Sequence, residues 1–354
     1  MTAPAARPAG LPGGVSVAIP VYNGARHLPA ALESVLLQTH PAAEVVLVDD
    51  ASTDGSPEVI LGAARRDPRV RYARNERTLG MVENWNRCLE LCRGEWVKLM
   101  GQDDRLAPDC LGAMLAANDG ANDLVISLRE FSFEPGVPRR LAFSYRHALP
   151  TLRSLRVAPG TVAPAALARL VTRVAPCANF LGEPVAGLIR RERLVAAGGF
   201  HPALRQLADY EFWLRLALAR PFTFVNRPLA TFRVHAGSAT QRNLTDRLRG
   251  VHLENAILLI ELLDGPAFAA ARALHPPLAT FAHRALLAEI ENALRRAGRS
   301  EPEALALQRA MEQHPPLAAW CRREPTFADR LRAIAGRVGR ARRILAEMLR
   351  PKGV

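Results

Sequence analysis

The chain has 354 residues, 49% of them hydrophobic and 23% charged, and its mean hydropathy is −0.01. These values describe a globular protein long enough for one large α/β domain plus an extension, or for two domains, and they exclude a disordered chain. The formal charge is +13, yet only Lys98 and Lys352 of the 47 basic residues are lysine; arginine is spread along the chain, without the aromatic-interleaved basic motif or zinc spacing of a nucleic-acid binder.

Residues 1–14, rich in Pro, Ala and Gly, read as a flexible lead that lacks the charged and apolar regions of a signal peptide. VSVAIPVY over 15–22 predicts a first buried strand, ended by Asn23-Gly24. Leu28, Leu32, Val35 and Leu36 then recur at helical spacing up to Gln38. EVVLVD over 44–49 predicts a second strand, and the turn DDASTDG leads into a helix from about Ser56. A third strand is expected over 70–74 and a helix over 80–92, with Met81, Trp85, Cys88, Leu89 and Cys92 facing inward. WVKLM over 96–100 reads as a fourth strand, stopped at Gly101 and followed at once by Asp103 and Asp104.

A helix over 108–118 and a strand over 123–133 come next. Residues 134–173, with scattered prolines and arginines, read as an irregular, substrate-facing region. A strand over 185–190, helices over 191–197 and 209–219, and a strand over 222–225 lead to ATFRVHAGSAT, residues 230–240, which closes the domain. Beyond 241 the pattern is helical only, over 244–263, 278–297, 302–313 and 327–349, broken by the Pro276-Pro277 and Pro315-Pro316 pairs. The expected division is therefore a lead over 1–14, an α/β domain over 15–240 and a helical extension over 241–354.

Short strands alternating with helices imply a mostly parallel central sheet with flanking helices. Parallel strands place their carboxyl ends on one edge, where ligands of such sheets bind. Tyr22-Asn23, Asp49-Asp50 and Asp103-Asp104 should therefore converge in one cleft. Two adjacent acids there call for a cation, and a divalent ion shared with phosphates is the natural one. Taken alone, the pair reads as a turn cap and Asp209 as a helix N-cap, and Asp50 could serve only as a turn acid. The first βα turn carries no dinucleotide fingerprint and no P-loop. Five cysteines without a CxxC pair argue against a zinc site or a disulfide framework and for a reducing, cytoplasmic setting. No apolar window reaches the ~20 residues of a spanning helix. Residues 322–354 carry ten basic and three acidic side chains, and are expected either to dock peripherally on anionic lipid at the inner face of a membrane or to pack as a solvated helix.

Together SVAIPVYNGARHLPAALESVLLQTHPAAEVVLVDDASTDGS, RNERTLGMVENWNRCLE, GQDDRL, GGF and ADYEFWLRL resemble the family 2 glycosyltransferases, over about residues 15 to 240. The resemblance implies the GT-A fold, a Rossmann-like sheet with flanking helices, and inverting transfer from a nucleotide-sugar donor. It implies that Pro20, Val21, Tyr22 and Asn23 line the nucleotide site, that Asp50 binds the base, usually uracil, and that Asn84 lies near the nucleoside. Asp103 and Asp104 match the DXD-type motif, the first near the ribose and the second on a divalent metal, Mn2+ or Mg2+. His235 is implied as a further metal ligand and Asp209 as the general base, although the family's Glu-Asp pair is here Ala208-Asp209.

In that reading one carboxylate takes the proton of the attacking hydroxyl, and metal-held charge stabilises the departing diphosphate. A helix dipole is expected to keep Asp209 ionised. The partners implied are a UDP-sugar and a glycan or lipid-linked acceptor, in bacterial-type polysaccharide biosynthesis. The competing reading is a non-catalytic nucleotide-sugar-binding scaffold of the same fold. Glu183, in LGEP, could reach the acceptor but is not counted among the site residues, and Glu211 is expected on a solvated helix face.

Overall fold

The computed structural model describes residues 10–118, 120–235, 237, 251–297 and 301–324. In chain order its first half runs β1 (Leu11–Val21), α1 (Leu28–Leu36), β2 (Glu44–Asp49), α2 (Ser56–Arg66), β3 (Val70–Arg74), α3 (Met81–Glu90), β4 (Gly94–Leu99), β5 (Arg105–Leu106), α4 (Cys110–Asn118) and β6 (Leu124–Phe133). Then follow α5 (Arg139–Phe143), a wide helical turn (Ser144–Ala148), β7 (Gly160–Val162), α6 (Pro164–Val171), β8 (Gly187–Arg190), α7 (Arg191–Ala197), α8 (Ala208–Ala219) and β9 (Phe222–Val234). The described remainder is helical: α9 (Val251–Asp264), α10 (Ala269–Leu274), α11 (Pro277–Ala297), α12 (Glu301–Gln313) and α13 (Pro315–Arg323). None of the described helices is long and apolar enough to cross a membrane.

The nine strands form one sheet in the order β3-β2-β1-β4-β8-β6-β9-β5, with β7 on β9. The expected α/β class is present, and the sheet is mostly parallel, six of its nine strands running one way, with three antiparallel strands mixed in. β3, β2, β1 and β4 are parallel to one another, and so are β6 and β9. β8 runs antiparallel between β4 and β6, and β5 and β7 run antiparallel to β9. The buried pattern of β1 and β2 shows why those runs are continuous and apolar: Val17, Ile19, Val45 and Leu47 face helices on one side, and Val46 and Val48 are covered on the other.

A buried polar knot fastens the opposite end of the parallel half. Ser16 Oγ donates to Glu44 Oε1 at 2.6 Å, Gly94 N donates to Ser16 Oγ at 2.7 Å, and Arg71 and Arg93 both pair with the Glu44 carboxylate. Burial raises the proton affinity of Glu44, and the bonds from Ser16, Arg93 and Arg71 outweigh it, so its carboxyl lies below the ordinary range.

Three sequence expectations need correction. β1 starts at Leu11, not at 15, because Leu11 N donates to Arg93 O at 2.8 Å and pairs with Gly94. The region read as irregular holds α5, the wide turn, β7 and α6, whose short pieces fall below the length at which periodicity is legible. The strand expected over 222–225 continues to Val234, with its register against β6 shifting beside Pro228.

The chain divides into two compact units. The sheet unit takes residues up to Leu167, Ala178–Pro202 and Ala208–Ala236. The helical unit takes Gly237 onward and also Ala168–Cys177 and Ala203–Leu207. The latter segment goes with the helices because the Glu254 carboxylate accepts the backbone N–H groups of Arg205, Gln206 and Leu207. Within the helical unit, α9 and α11 pack together, Leu278, Ala282, Leu286, Ile290 and Leu294 forming the buried row of α11. The helix expected over 327–349 and most of the basic stretch lie outside the described residues.

Candidate active site

Three strand exits meet at the carboxyl edge of the parallel half, and side chains stitch them together. Beyond β1 the chain turns at Asn23, whose φ of 49° suits asparagine better than most residues. Asn23 N donates to Ser52 Oγ at 2.9 Å, and Asn23 Oδ1 accepts from Thr53 N at 2.8 Å. Gly24 N reaches Ser56 Oγ, and Ala25 N reaches Asp54 Oδ2. The hydroxyls and carboxylates of DASTDGS thus tie the β2 exit to the β1 exit. From the other side Gln102 pairs with the Tyr22 peptide in both directions: Oε1 accepts Tyr22 N at 2.9 Å and Nε2 donates to Tyr22 O at 3.0 Å. Gly24 lies against that amide, where any Cβ would overlap it.

The residues expected around the nucleotide divide into two sets. Tyr22 is exposed, and Asn23 and Asp103 reach solvent at the edge. Pro20 and Val21 are buried in β1, and Asp50 and Asn84 are buried and bonded internally. Asp50 Oδ1 accepts from Asn75 Nδ2 at 2.6 Å and Leu79 N at 2.8 Å, and Oδ2 accepts from Gly80 N at 2.9 Å. Asn84 Nδ2 donates to Val48 O at 3.0 Å and its Oδ1 accepts from Asn75. These two residues therefore shape the β3–α3 loop, and Asp50 Oδ2 keeps the remaining acceptor capacity. Asn75 Oδ1 is the buried polar side-chain atom left without a partner among the described residues.

The acid pair sits where β4 ends. Gly101 gives both carboxylates room: a Cβ there would lie 2.8 Å from Asp103 Oδ1 and 2.8 Å from Asp104 Oδ2. Asp104 is 2% exposed and accepts from Arg233 N at 3.1 Å and Gly101 N at 3.3 Å. Burial and the neighbouring Asp103 charge push its carboxyl well above the ordinary range. Asp103 is the more open of the two and meets His235 Nε2 at 3.0 Å, so the imidazole lies on Asp103 and not on Asp104, the carboxylate expected to share a metal with it. His235 packs on His27, which burial and His235 keep less basic than usual. Among the described residues no lysine or arginine side chain is ion-paired with Asp103 or Asp104. Two carboxylates and an imidazole short of positive charge are a donor set that fits a divalent ion of the Mg2+ or Mn2+ type.

Across the cleft edge, Asp209 is the second residue of α8. It is not an N-cap, since its Oδ1 accepts from the next residue, Tyr210 N, at 2.7 Å. Against the expectation that the helix terminus keeps it ionised, burial and then the Glu183 charge push its carboxyl up to about 8. Glu183, left outside the site on sequence, is ion-paired with Arg129, whose side chain is only 2% exposed. Its charge acts on both Asp104 and Asp209. A lone glutamate in a loop carries no periodic signal, and only the fold shows that it joins the two acidic groups. Glu211 is also not solvated; it is buried and bonded to Arg215.

The glycosyl transferase family 2 model matches residues 16–169. An uncharacterised protein of Mycobacterium tuberculosis is 33% identical over 246 residues, which cover 66% of this chain and 73% of that protein. The chain belongs to glycosyl transferase family 2. It is a glycosyltransferase, and the sheet and flanking helices are those of its GT-A fold. A putative glycosyltransferase of Bacillus subtilis, EpsH, is 28% identical over 233 residues, covering 64% of this chain and 63% of EpsH. Residues 1–349 of Staphylococcus aureus TarS in complex with UDP-GlcNAc share the fold at 18% identity and a TM-score of 0.59, over 95% of this chain and 89% of that one.

Proposed function

We propose that this glycosyltransferase moves a sugar from a UDP-sugar to a hydroxyl of a glycan or lipid-linked acceptor, with inversion, in the assembly of a bacterial polysaccharide. The observation that carries the reading is the division of the acids: a pair at Asp103 and Asp104 with no lysine or arginine ion-paired to either carboxylate among the described residues, and a distinct carboxyl at Asp209 on α8, pushed up to about 8. A general base works best when its pKa lies near the working pH, and a ligand carboxylate need not. The UDP-sugar donor is supported by the likeness to UDP-GlcNAc-bound TarS in fold.

Tyr22 and Asn23 would meet the nucleotide, and Asp103 would lie toward the ribose. Asp103, Asp104 and His235 would hold a divalent ion, which when bound supplies positive charge for the departing diphosphate. Asp209 takes the proton of the acceptor hydroxyl onto a carboxylate oxygen. The hydroxyl oxygen then bonds to the anomeric carbon as the bond to the phosphate oxygen breaks, and that electron pair leaves with UDP. The site is assigned to the internal face of the cell, with the basic segment 322–354 as a contact for anionic lipid.

The test is Asp209→Asn, assayed for UDP release from UDP-GlcNAc with Mn2+ and for donor binding by thermal shift. Turnover is expected to fall by about 10²- to 10⁴-fold with donor binding kept. Turnover at the wild-type rate would remove Asp209 from the role of base.

A further inference from the structure

The loop between α6 and β8 is fastened more heavily than a connection requires. Asn179 Oδ1 accepts from Leu181 N and Gly182 N, and its Nδ2 donates to Gly182 O. The Trp213 indole donates to Gly182 O at 3.0 Å. Lys98, fully buried in β4, donates its Nζ to Val185 O at 2.5 Å, and Ser127 Oγ donates to Ala186 O. Gly182 has φ of +110°, strained for any side chain, and a Cβ on Gly187 would overlap the Trp213 ring. A buried lysine and a buried arginine are therefore both committed to one short loop, although buried charges are expensive unless paired. What they hold in place is one carboxylate, Glu183.

The helix geometry says where that loop is docked. Asp209 and Trp213 are four residues apart on α8 and so share a face. Trp213 grips the residue immediately before Glu183, which docks the loop on the Asp209 face. We propose that Glu183, clamped by Arg129, is a positioning residue for the transfer reaction: it fixes the charge environment in which Asp209 receives the acceptor proton. The inference rests on Asp209 being the base. In the proton step, the hydroxyl O–H bond breaks, the proton passes to Asp209, and the oxygen's electron pair forms the new glycosidic bond. Glu183 exchanges no proton and forms no bond with substrate.

Among the described residues the groups acting on Asp209 are few. Glu183 faces it from the loop and Arg129 from β6, and the backbone N–H of Tyr210 bonds it on α8. Glu211 and Arg215 on the same helix are bonded to each other. Glu183 acts more strongly than Arg129, in the opposite sense.

The test labels aspartate with 13C at Cγ and follows its NMR titration without metal, Asp209 being identified by the signal lost in Asp209→Asn. In the double variant Arg129→Gln with Glu183→Gln, which leaves no buried unpaired charge, the Asp209 midpoint is expected at lower pH than in the wild-type chain. Should that variant fail to fold, Glu183→Asp, which draws the carboxylate back by one methylene and keeps its charge, must displace the midpoint in the same direction by less. The acid limb of UDP release from UDP-GlcNAc with Mn2+ should move with it, with the plateau kcat above pH 8 lower by up to about tenfold and the donor KM unchanged. An Asp209 midpoint that stays in place in a folded variant overturns the inference and leaves the base reading standing. Wild-type turnover by Asp209→Asn overturns the base reading, and the titration alone then measures the electrostatic link.

Discussion

Asp209→Asn should make the protein more stable, and increasingly so as pH rises. The folded carboxyl has its pKa near 8, against 3.8 in the unfolded chain. Between those values the unfolded state has released the proton and the folded state still holds it, so wild-type stability falls with rising pH, and it levels off above 8. At about 1.4 kcal/mol per pH step the full linkage would be about 6 kcal/mol. Asp209 keeps part of its surface open to solvent, which screens the charge, so about 2 kcal/mol is the expected gain at pH 8.5. Asparagine keeps the shape and removes the titration. Thermal melts of both proteins from pH 4 to pH 9 should show curves that meet near pH 4 and separate by about 3 °C at pH 8.5. A gap independent of pH, or a variant less stable at pH 8.5, would refute the assignment of a buried, proton-holding carboxyl at this position.

Other consequences are direct. Wild-type transfer should rise with pH and level off near 8, the rate limb reporting deprotonation of Asp209; a flat profile from pH 6 to 9 counts against it. Gly101→Ala puts a methyl group 2.8 Å from oxygens of both Asp103 and Asp104, and should lower turnover by about tenfold while costing about 1–2 kcal/mol in urea denaturation. Glu44→Gln leaves Arg71 and Arg93 without their shared buried partner and should cost about 3 kcal/mol at neutral pH. Because the Glu44 carboxyl is held below its unfolded value, that difference should shrink as pH falls through the acid range.

The parallel half of the fold was legible because its strands are buried on both faces and end in turn chemistry that has few alternatives: VSVAIPVY, EVVLVD and WVKLM each appear as strands with the acids at one edge. α8 was legible for the same reason, from its Phe212, Trp213 and Leu216 spacing. Less visible was anything decided by contacts distant in sequence. Leu11 joins β1 only because Arg93 offers a carbonyl, and β9 runs on past Pro228 only because β6 lies beside it. The same holds in the site. Asp50 and Asn84 are ligand residues by the family resemblance alone, and the sequence does not show that their polar atoms also support the 75–80 loop. Glu183 and its fastenings draw on Arg129, Asn179, Lys98, Ser127 and Trp213, residues spread over more than a hundred positions, which no local pattern could gather.

The pairing of Gln102 with the Tyr22 peptide adds a rung between β1 and β4 beyond the last backbone bond of their ladder. The Tyr22 amide, on an exposed residue, is thereby held in a hydrogen bond by a side chain that belongs to the acid loop. Its hydrogen-exchange rate is consequently a local gauge of that loop's opening: slow while Gly101-Gln102-Asp103-Asp104 keeps its place, fast each time the loop lifts away. A single backbone amide on the first strand can thus report how often the carboxylate pair on the fourth leaves its working position.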